Sequence, residues 1–193
     1  MMRLDQLLVI QGLANSRTRA QRLIRHGRIR LAENGKPLTK ASEKWPDDTR
    51  FEVEDDPEER YVSRAGLKLE AVLTALELRF DDAVVLDIGQ STGGFSDCAL
   101  HFGAHHVIGV EVGHGQLAPE LRSDPRVTCL EGINARSMSS SEALNSALAA
   151  FPIDSAIMDV SFISQTLILP EIAALLPAGG QLISLVKPQF ELS

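Results

Sequence analysis

Apolar positions change their period twice along this chain. Leu4, Leu7 and Leu8, then Ala20, Leu23 and Ile24 beyond a turn at Gly12, recur at helical spacing. Ser16 suits the N-cap of the second helix and Gly27 its end. The stretch RIRLAENGKPLTK then reads as strand, Asn34-Gly35 turn and strand. A second helical stripe, Ala65, Leu69, Val72, Leu73 and Leu76, follows a polar interval. Beyond it β-branched runs at Ala83–Ile88, Val107–Val112, Val127–Leu130, Ser155–Val160 and Leu182–Val186 alternate with helical patterns at Gly94–Phe102, Ser139–Ala150 and Ser164–Leu176. Such alternation predicts an α/β fold, a parallel sheet covered on both faces, behind a small α+β head. In that architecture ligands bind at the carboxyl ends of the strands. The polar residues there are Asp87, Glu111, Glu131 to Asn134, Asp159 and Lys187.

Charge divides the chain at the same place. Residues 1–53 hold eight Arg and three Lys against six acids, whereas the whole 193-residue chain carries a net −7. A basic head on an acidic body points to a polyanion for the head. On the second helix Arg19, Arg22 and His26 line the face opposite Ala20, Leu23 and Ile24, with Arg25 alongside; the plain alternative is a solvated helix face. The interval EVEDDPEE, Glu52 to Glu59, reads as a solvated boundary, which predicts a head of 1–53, an acidic linker of 54–62 and a body of 63–193. The longest early apolar run, Leu7 to Ile10, is too short for a signal peptide or a membrane span. Cys98 and Cys129 have no metal-ligand spacing, so no metal site is expected. A cytoplasmic, monomeric, non-membrane protein is the expectation.

The stretch VVLDIGQSTGGFSDC, Val84 to Cys98, carries the first chemical signal. Gly89 permits a sharp turn after the strand, and Gly93-Gly94 permits close approach of a ligand; alone, a tight strand-to-helix turn looks the same. Asp87 can orient a cationic or amino group. Glu111, 23 positions after Ile88, can accept ribose hydroxyls. The pattern is not the dinucleotide fingerprint, and no arginine pair offers itself to a pyrophosphate. Together these residues favour S-adenosylmethionine, an adenosine without phosphate. Ser91 and Asn134 complete the candidate donor set.

The head segment RLDQLLVIQGLANSRTRAQRLIRHGRIRL...NGKPL resembles the RNA-binding domain named after the fourth small-subunit ribosomal protein, from Arg3 to about Val53. The resemblance implies RNA contacts at Arg3, Ser16, Arg17, Arg19, Arg22, Arg25, Arg28 and Lys36, by shape rather than base stacking. In the body, YVSRAGLKLE, LDIGQSTGGFSDCAL, VGHGQL, DPRV, NAR, DVSFIS and LVKPQFE follow one another as in the TlyA family. That family joins such a head to an FtsJ-like methyltransferase, and some members are called hemolysins. The resemblance implies a Rossmann-like fold and 2′-O-methylation of ribose in ribosomal RNA or ribosomal subunits. Its catalytic Lys-Asp-Lys-Glu pattern maps onto Lys68, Asp159 and Lys187. A ribose hydroxyl is a poor nucleophile and needs a positioned base or a cation for its developing alkoxide. Lys187 would face the hydroxyl while Lys68 and Asp159 orient it.

Two departures accompany the resemblance. The family's last catalytic Glu lies in a later strand, and Glu191, only four residues past Lys187, does not take that role. The chain therefore reads as a truncated methyltransferase of low or absent activity, short of a closing antiparallel pair of strands. Gln90 stands where relatives carry a small residue and is expected to crowd the donor pocket; His114 in place of an aromatic is harmless. The competing readings are a non-catalytic RNA-binding module and, less favoured, a hemolysin.

Overall fold

A computed structural model describes every residue except Glu58, Glu59, Phe162 and Ser193. The chain divides into two compact units, Met1–Arg60 and Tyr61–Ser193.

In the first unit, β1 (Met2–Arg3) leads into α1 (Leu4–Ile10) and α2 (Arg17–Arg25), followed by β2 (Ile29–Leu31), β3 (Lys44–Trp45) and β4 (Phe51–Val53). The helices bury Leu4, Leu7 and Leu8 against Ala20, Leu23 and Ile24, and Ile29, Leu38 and Phe51 complete the core. Ser16 caps α2 by accepting the Arg19 N–H at 3.1 Å. Gly27, at φ +71°, turns the chain out of the helix.

The hairpin expectation needs correction. β2 pairs antiparallel with β4, and β1 with β3. The segment after the Asn34-Gly35 turn returns to β2 through the single bridge Arg30–Pro37. Two ladder bonds flank that bridge, Leu31 N–H to Lys36 O and Leu38 N–H to Ile29 O, both 2.9 Å.

The interval expected to be solvated is exposed at Glu52, Val53, Glu54, Asp55 and Pro57, and departs from that expectation at Asp56. Asp56 is only 4% exposed, with its carboxylate 2.8 Å from His26 Nδ1. Glu54 N–H bonds Arg28 O, and Glu54 Oε1 accepts from Arg30 at 2.7 Å. A buried carboxylate needs partners, and the cations of the head supply them. At the other end of the interval, Tyr61 and Val62 pack into the core of the second unit. Glu58 and Glu59 of that interval lie outside the described residues.

The second unit runs α3 (Ala65–Ala75), β5 (Val84–Ile88), α4 (Gly94–His101), β6 (His106–Glu111), α5 (Pro119–Arg122), β7 (Val127–Glu131), α6 (Glu142–Ala150), β8 (Ser155–Met158), α7 (Leu169–Leu175), β9 (Gln181–Ser184) and α8 (Pro188–Glu191). The strands form one parallel sheet in the order β7-β6-β5-β8-β9. The order reverses between β5 and β8, which opens a crevice at their carboxyl ends. Alternation along the strands sends Val84, Leu86 and Ile88 to a core with Met138, Leu144 and Ile172, and Val85 to a core with α3 and α4.

Two helical patterns resolve differently from expectation. The run Ser164–Leu176 splits into a 3-10 turn, Gln165–Leu167, and α7, because Pro170 at the start of α7 cannot continue the preceding hydrogen bonding. In α3, Leu69 and Leu73 are buried, but Val72 and Leu76 are 38% and 61% exposed. Gly66, not Val72, faces α4, since no larger residue fits there.

Candidate active site

The cleft forms where β5, β6 and β8 end. Gly89, at φ +77°, leaves β5 beside Asp159; a Cβ there would lie 2.3 Å from the Asp159 carbonyl oxygen. Ser91 follows in the left-handed region at φ +52°, a strained state for a residue with a side chain. Glu111 at the end of β6 holds it there. Its Oε1 accepts the Ser91 N–H at 2.9 Å while Oε2 accepts the Gly113 N–H at 2.8 Å. One carboxylate thus ties together the loops after β5 and β6.

Those loops bound a cleft of about 380 Å³, lined by Glu111, Val112, Gln116, Ile133, Asn134 and Ile163 as well as by Gly89, Ser91, Asp159 and Ser161. The volume is that of a small-molecule site. Among the described residues its charged lining is Glu111 and Asp159, with no lysine or arginine. Such a lining repels phosphates and suits a neutral or cationic ligand bearing hydroxyls. S-adenosylmethionine fits this chemistry, with Glu111 placed for ribose hydroxyls and Val112 and Ile133 offering apolar surface. Asn134 borders the cleft, but its side-chain oxygen also caps the following turn by accepting Arg136 N–H at 3.0 Å.

The glycine pair serves packing more than the ligand. A Cβ on Gly93 would meet Leu121 at 2.3 Å and Leu117 at 2.8 Å; one on Gly94 would meet Ser63 Oγ at 2.1 Å and Gly66 N at 2.9 Å. Gly94 does border a minor pocket with Ser63, Ala65 and Asp159, but Gly93 lines neither cavity. The close approach inferred for this pair is chiefly that of α3 and α5 to α4.

Asp87 also departs from expectation. It is fully buried below the crevice, on the α4 face of the sheet, and does not line the main cleft. Its Oδ2 accepts the Ser96 hydroxyl at 2.6 Å, and Ser96 in turn accepts Gln90 Nε2–H at 2.9 Å. Burial pushes the Asp87 carboxyl up to about 7, against the Ser96 hydrogen bond and with help from Asp159 and Glu111. Gln90 does not crowd the main cleft. It is 3% exposed and folds inward over Gly109 of β6, the space a side chain at 109 would take.

Asp159 and Lys187 come together. Lys187 Nζ lies 2.6 Å from Asp159 Oδ1, a charge contact without directed hydrogen-bond geometry, and donates to Ser161 Oγ at 2.9 Å. Lys68 is separate: it is exposed on α3 and makes no hydrogen bond or ion pair among the described residues. Glu191 is occupied elsewhere. It accepts the Ser164 hydroxyl at 2.6 Å and the Gln165 N–H at 2.7 Å, which hold its carboxyl below the usual range. Phe162 of the DVSFIS motif lies outside the described residues.

In the head, part of the expected RNA surface is already neutralised. Arg3 grips buried Asp5 through two bonds of 3.0 and 2.9 Å, and Arg17 reaches the same carboxylate at 3.3 Å. Arg28 sits 3.7 Å from Glu54 and 3.8 Å from Asp56. Ser16 is spent on its cap. Arg22, Arg25 and Lys36 are exposed, and Arg19 is half-buried. The internal acids Asp5 and Asp56 were missed by charge counting, which does not see pairing. Ser96, Gln116 and Ser161 were missed as well; only their places inside the quoted motifs hinted at them.

A doubly wound parallel sheet with a small-molecule cleft at the carboxyl ends of β5, β6 and β8 is the architecture of a ligand-binding α/β domain. Residues 61–193 match the FtsJ-like methyltransferase family and residues 2–44 the S4 domain. The chain belongs to the FtsJ-like methyltransferase family, and that membership implies S-adenosylmethionine as methyl donor. It is 45% identical over 98% of its length to Bacillus subtilis YqxC, described as an rRNA methyltransferase, of which it covers 64%. It is 40% identical, again over 98%, to the 16S/23S rRNA (cytidine-2′-O)-methyltransferase TlyA of Mycobacterium tuberculosis, covering 68% of it. A solved structure described as a hemolysin from Streptococcus thermophilus superposes with a TM-score of 0.65 at 42% identity, covering 99% of this chain and 67% of that one. The chain thus spans about two thirds of the length of these relatives. Among the described residues, no helix is long and apolar enough to cross a membrane.

Proposed function

We propose that this protein transfers a methyl group from S-adenosylmethionine to the 2′-hydroxyl of a ribose in ribosomal RNA, within the cytoplasm. The observation that carries the reading is the Lys187–Asp159 pair at the lip of a cleft whose charged lining is otherwise Glu111. When bound, the donor supplies an electrophilic methyl. Glu111 accepts the donor's ribose hydroxyls, and Asn134 and Ser91 bound the same cavity. Lys187 presents an ammonium to the acceptor oxygen and stabilises its developing negative charge as the hydroxyl proton passes to solvent. Asp159 and Ser161 hold that ammonium in place. Lys68 acts only on a bound RNA, since free α3 leaves it in solvent. The head supplies affinity for the folded RNA through Arg19, Arg22, Arg25 and Lys36.

The test is methylation of ribosomal subunits or their RNA, with nuclease digests read by mass spectrometry. The expected product is a 2′-O-methylated nucleoside. Lys187→Ala should lower the rate by roughly 100- to 10,000-fold, the range for a positioned catalytic group, with donor binding unchanged. A methylated base, or full activity in Lys187→Ala, would refute the mechanism.

A further inference from the structure

The network beneath the cleft holds two acceptors with no donor. Asp87 Oδ1 and Gln90 Oε1 are both buried and unpartnered. The hydroxyl proton of Ser96 already goes to Asp87 Oδ2, the Ser96 backbone N–H also bonds the Asp87 carboxylate, and one Gln90 amide hydrogen goes to Ser96. An ionised carboxylate here would be an acceptor buried among acceptors with no cation of its own.

The surrounding charges have one sign. β6 contributes Glu111 at its end and β8 contributes Asp159, while opposite Asp87 in register stand Gly109 and Ile157. α4 contributes Ser96; the neighbouring Asp97 is directed to the Val62 N–H and to His101. The nearest cation in this set, Lys187, is engaged by Asp159. A neutral Asp87 in the empty cleft follows from this geometry.

We infer that Asp87 is a charge-sensing residue that makes the site prefer the sulfonium donor over its demethylated thioether product, which lacks the charge on sulfur, by giving up a proton when the donor binds. The inference rests on the donor reading above. A positive charge entering beside Asp159 and Glu111 relieves the repulsion that keeps Asp87 protonated. At an effective dielectric of about 20, a cation roughly 7 Å from a carboxyl favours its ionised form by about 50-fold. The thioether product brings no such charge to its sulfur and leaves the proton where it is. Ser96 and Gln90 fix the carboxyl so that it answers by changing protonation and not by moving. Product release is thereby favoured over donor release as a consequence of charge alone.

The experiment is calorimetry of the intact chain with S-adenosylmethionine and with S-adenosylhomocysteine, from pH 5.5 to 7, in buffers of different ionisation enthalpy. That window lies below the titration of an ordinary α-amino group. With the Asp87 carboxyl near 7, the donor should release about half a proton at pH 7 and bind about tenfold more weakly at pH 5.5. The product should release close to none and keep its affinity. Asp87→Asn should abolish the difference between the two ligands. Equal proton release by both ligands, or release surviving in Asp87→Asn, overturns the inference. If that variant does not fold, the wild-type comparison of the two ligands decides alone. Failure of either ligand to bind at any pH overturns the donor reading and this inference with it, and is told apart by the missing heat.

Discussion

Glu111→Gln is the sharpest probe of the cleft, because it keeps the shape of the side chain and changes only what it can accept. The carboxylate takes one N–H on each oxygen, from Ser91 at 2.9 Å and Gly113 at 2.8 Å. An amide accepts through one oxygen and turns its NH2 toward the other N–H, so one of the two bonds is lost and a donor faces a donor. A hydrogen bond to a charged group contributes about 1.5–3 kcal/mol. Partial solvent exposure places the loss near the lower end, about 1–2 kcal/mol of stability. If the Ser91 bond is the one lost, nothing offsets the cost of its φ of +52°, and the loop after β5 relaxes. Donor binding then suffers twice, through the lost acceptor for ribose hydroxyls and through the moved loop, for about 2–4 kcal/mol or roughly 30- to 1,000-fold in Kd. The assay pairs thermal unfolding without ligand with calorimetric titration of S-adenosylmethionine. Glu111→Asp is the control: it keeps the charge but is a methylene too short to reach both loops, and should fall between wild type and Gln. A Glu111→Gln protein with unchanged melting temperature and Kd within twofold would refute both roles of this carboxylate.

Three further outcomes test the frame around the site. Gly66→Ala places a methyl 2.7 Å from Tyr61 Cβ and Cγ and 2.8 Å from the Gly94 carbonyl oxygen, which should cost about 1–3 kcal/mol; an unchanged melting temperature would show that α3 and α4 can part freely. Arg19→Ala with Arg22→Ala should weaken RNA binding and flatten the log–log salt slope by about one to two, with donor affinity unchanged; an unaltered slope would make this a solvated helix face. Asp5, buried and bonded to Arg3, Arg17 and Gln21, has its carboxyl held far below the ordinary range. Its contribution is therefore present above about pH 4 and lost as pH falls further. Unfolding followed from pH 5 to 3 should show the loss in wild type and a shallower one in Asp5→Asn; parallel curves would refute it.

The fold was legible wherever one period dominated. Strand runs such as Val84–Ile88 sit between two covered faces and show as continuous apolar stretches, so the sheet could be read directly. Helices were harder where packing overrode pattern. Val72 and Leu76 continue the α3 stripe in sequence, yet α4 approaches through Gly66, a residue that apolar periodicity does not count. Pro170 splits the run Ser164–Leu176 because it has no N–H to continue the preceding hydrogen bonding. For the site, strand-end carboxylates were readable because topology forces them to one edge. The purposes of Gly93, Gly94 and Gln90 were not, since each is decided by what lies opposite: Leu121, Ser63 and Gly109.

The division of charge between the two units has a mechanistic consequence. The second unit, residues 61–193, holds seven basic residues against fifteen acids, and a polyanion such as RNA would gain nothing from that net field. At physiological ionic strength, however, charges beyond about 8 Å are largely screened. On the proposed reading, what a ribose would meet at the cleft is the local pair, Lys187 held by Asp159 and Ser161, and not the sum over the body. On the same reading, the acids that repel phosphate would favour a sulfonium donor over nucleoside polyphosphates. A body tuned in this way cannot also provide long-range attraction for RNA. On the proposed reading that attraction would come from the first unit, which is close to neutral as a whole but carries its basic surplus within residues 1–53, where Arg22, Arg25 and Lys36 are exposed. Donor selection and RNA capture would make opposite electrostatic demands, which one surface cannot meet and two distinct compact units can.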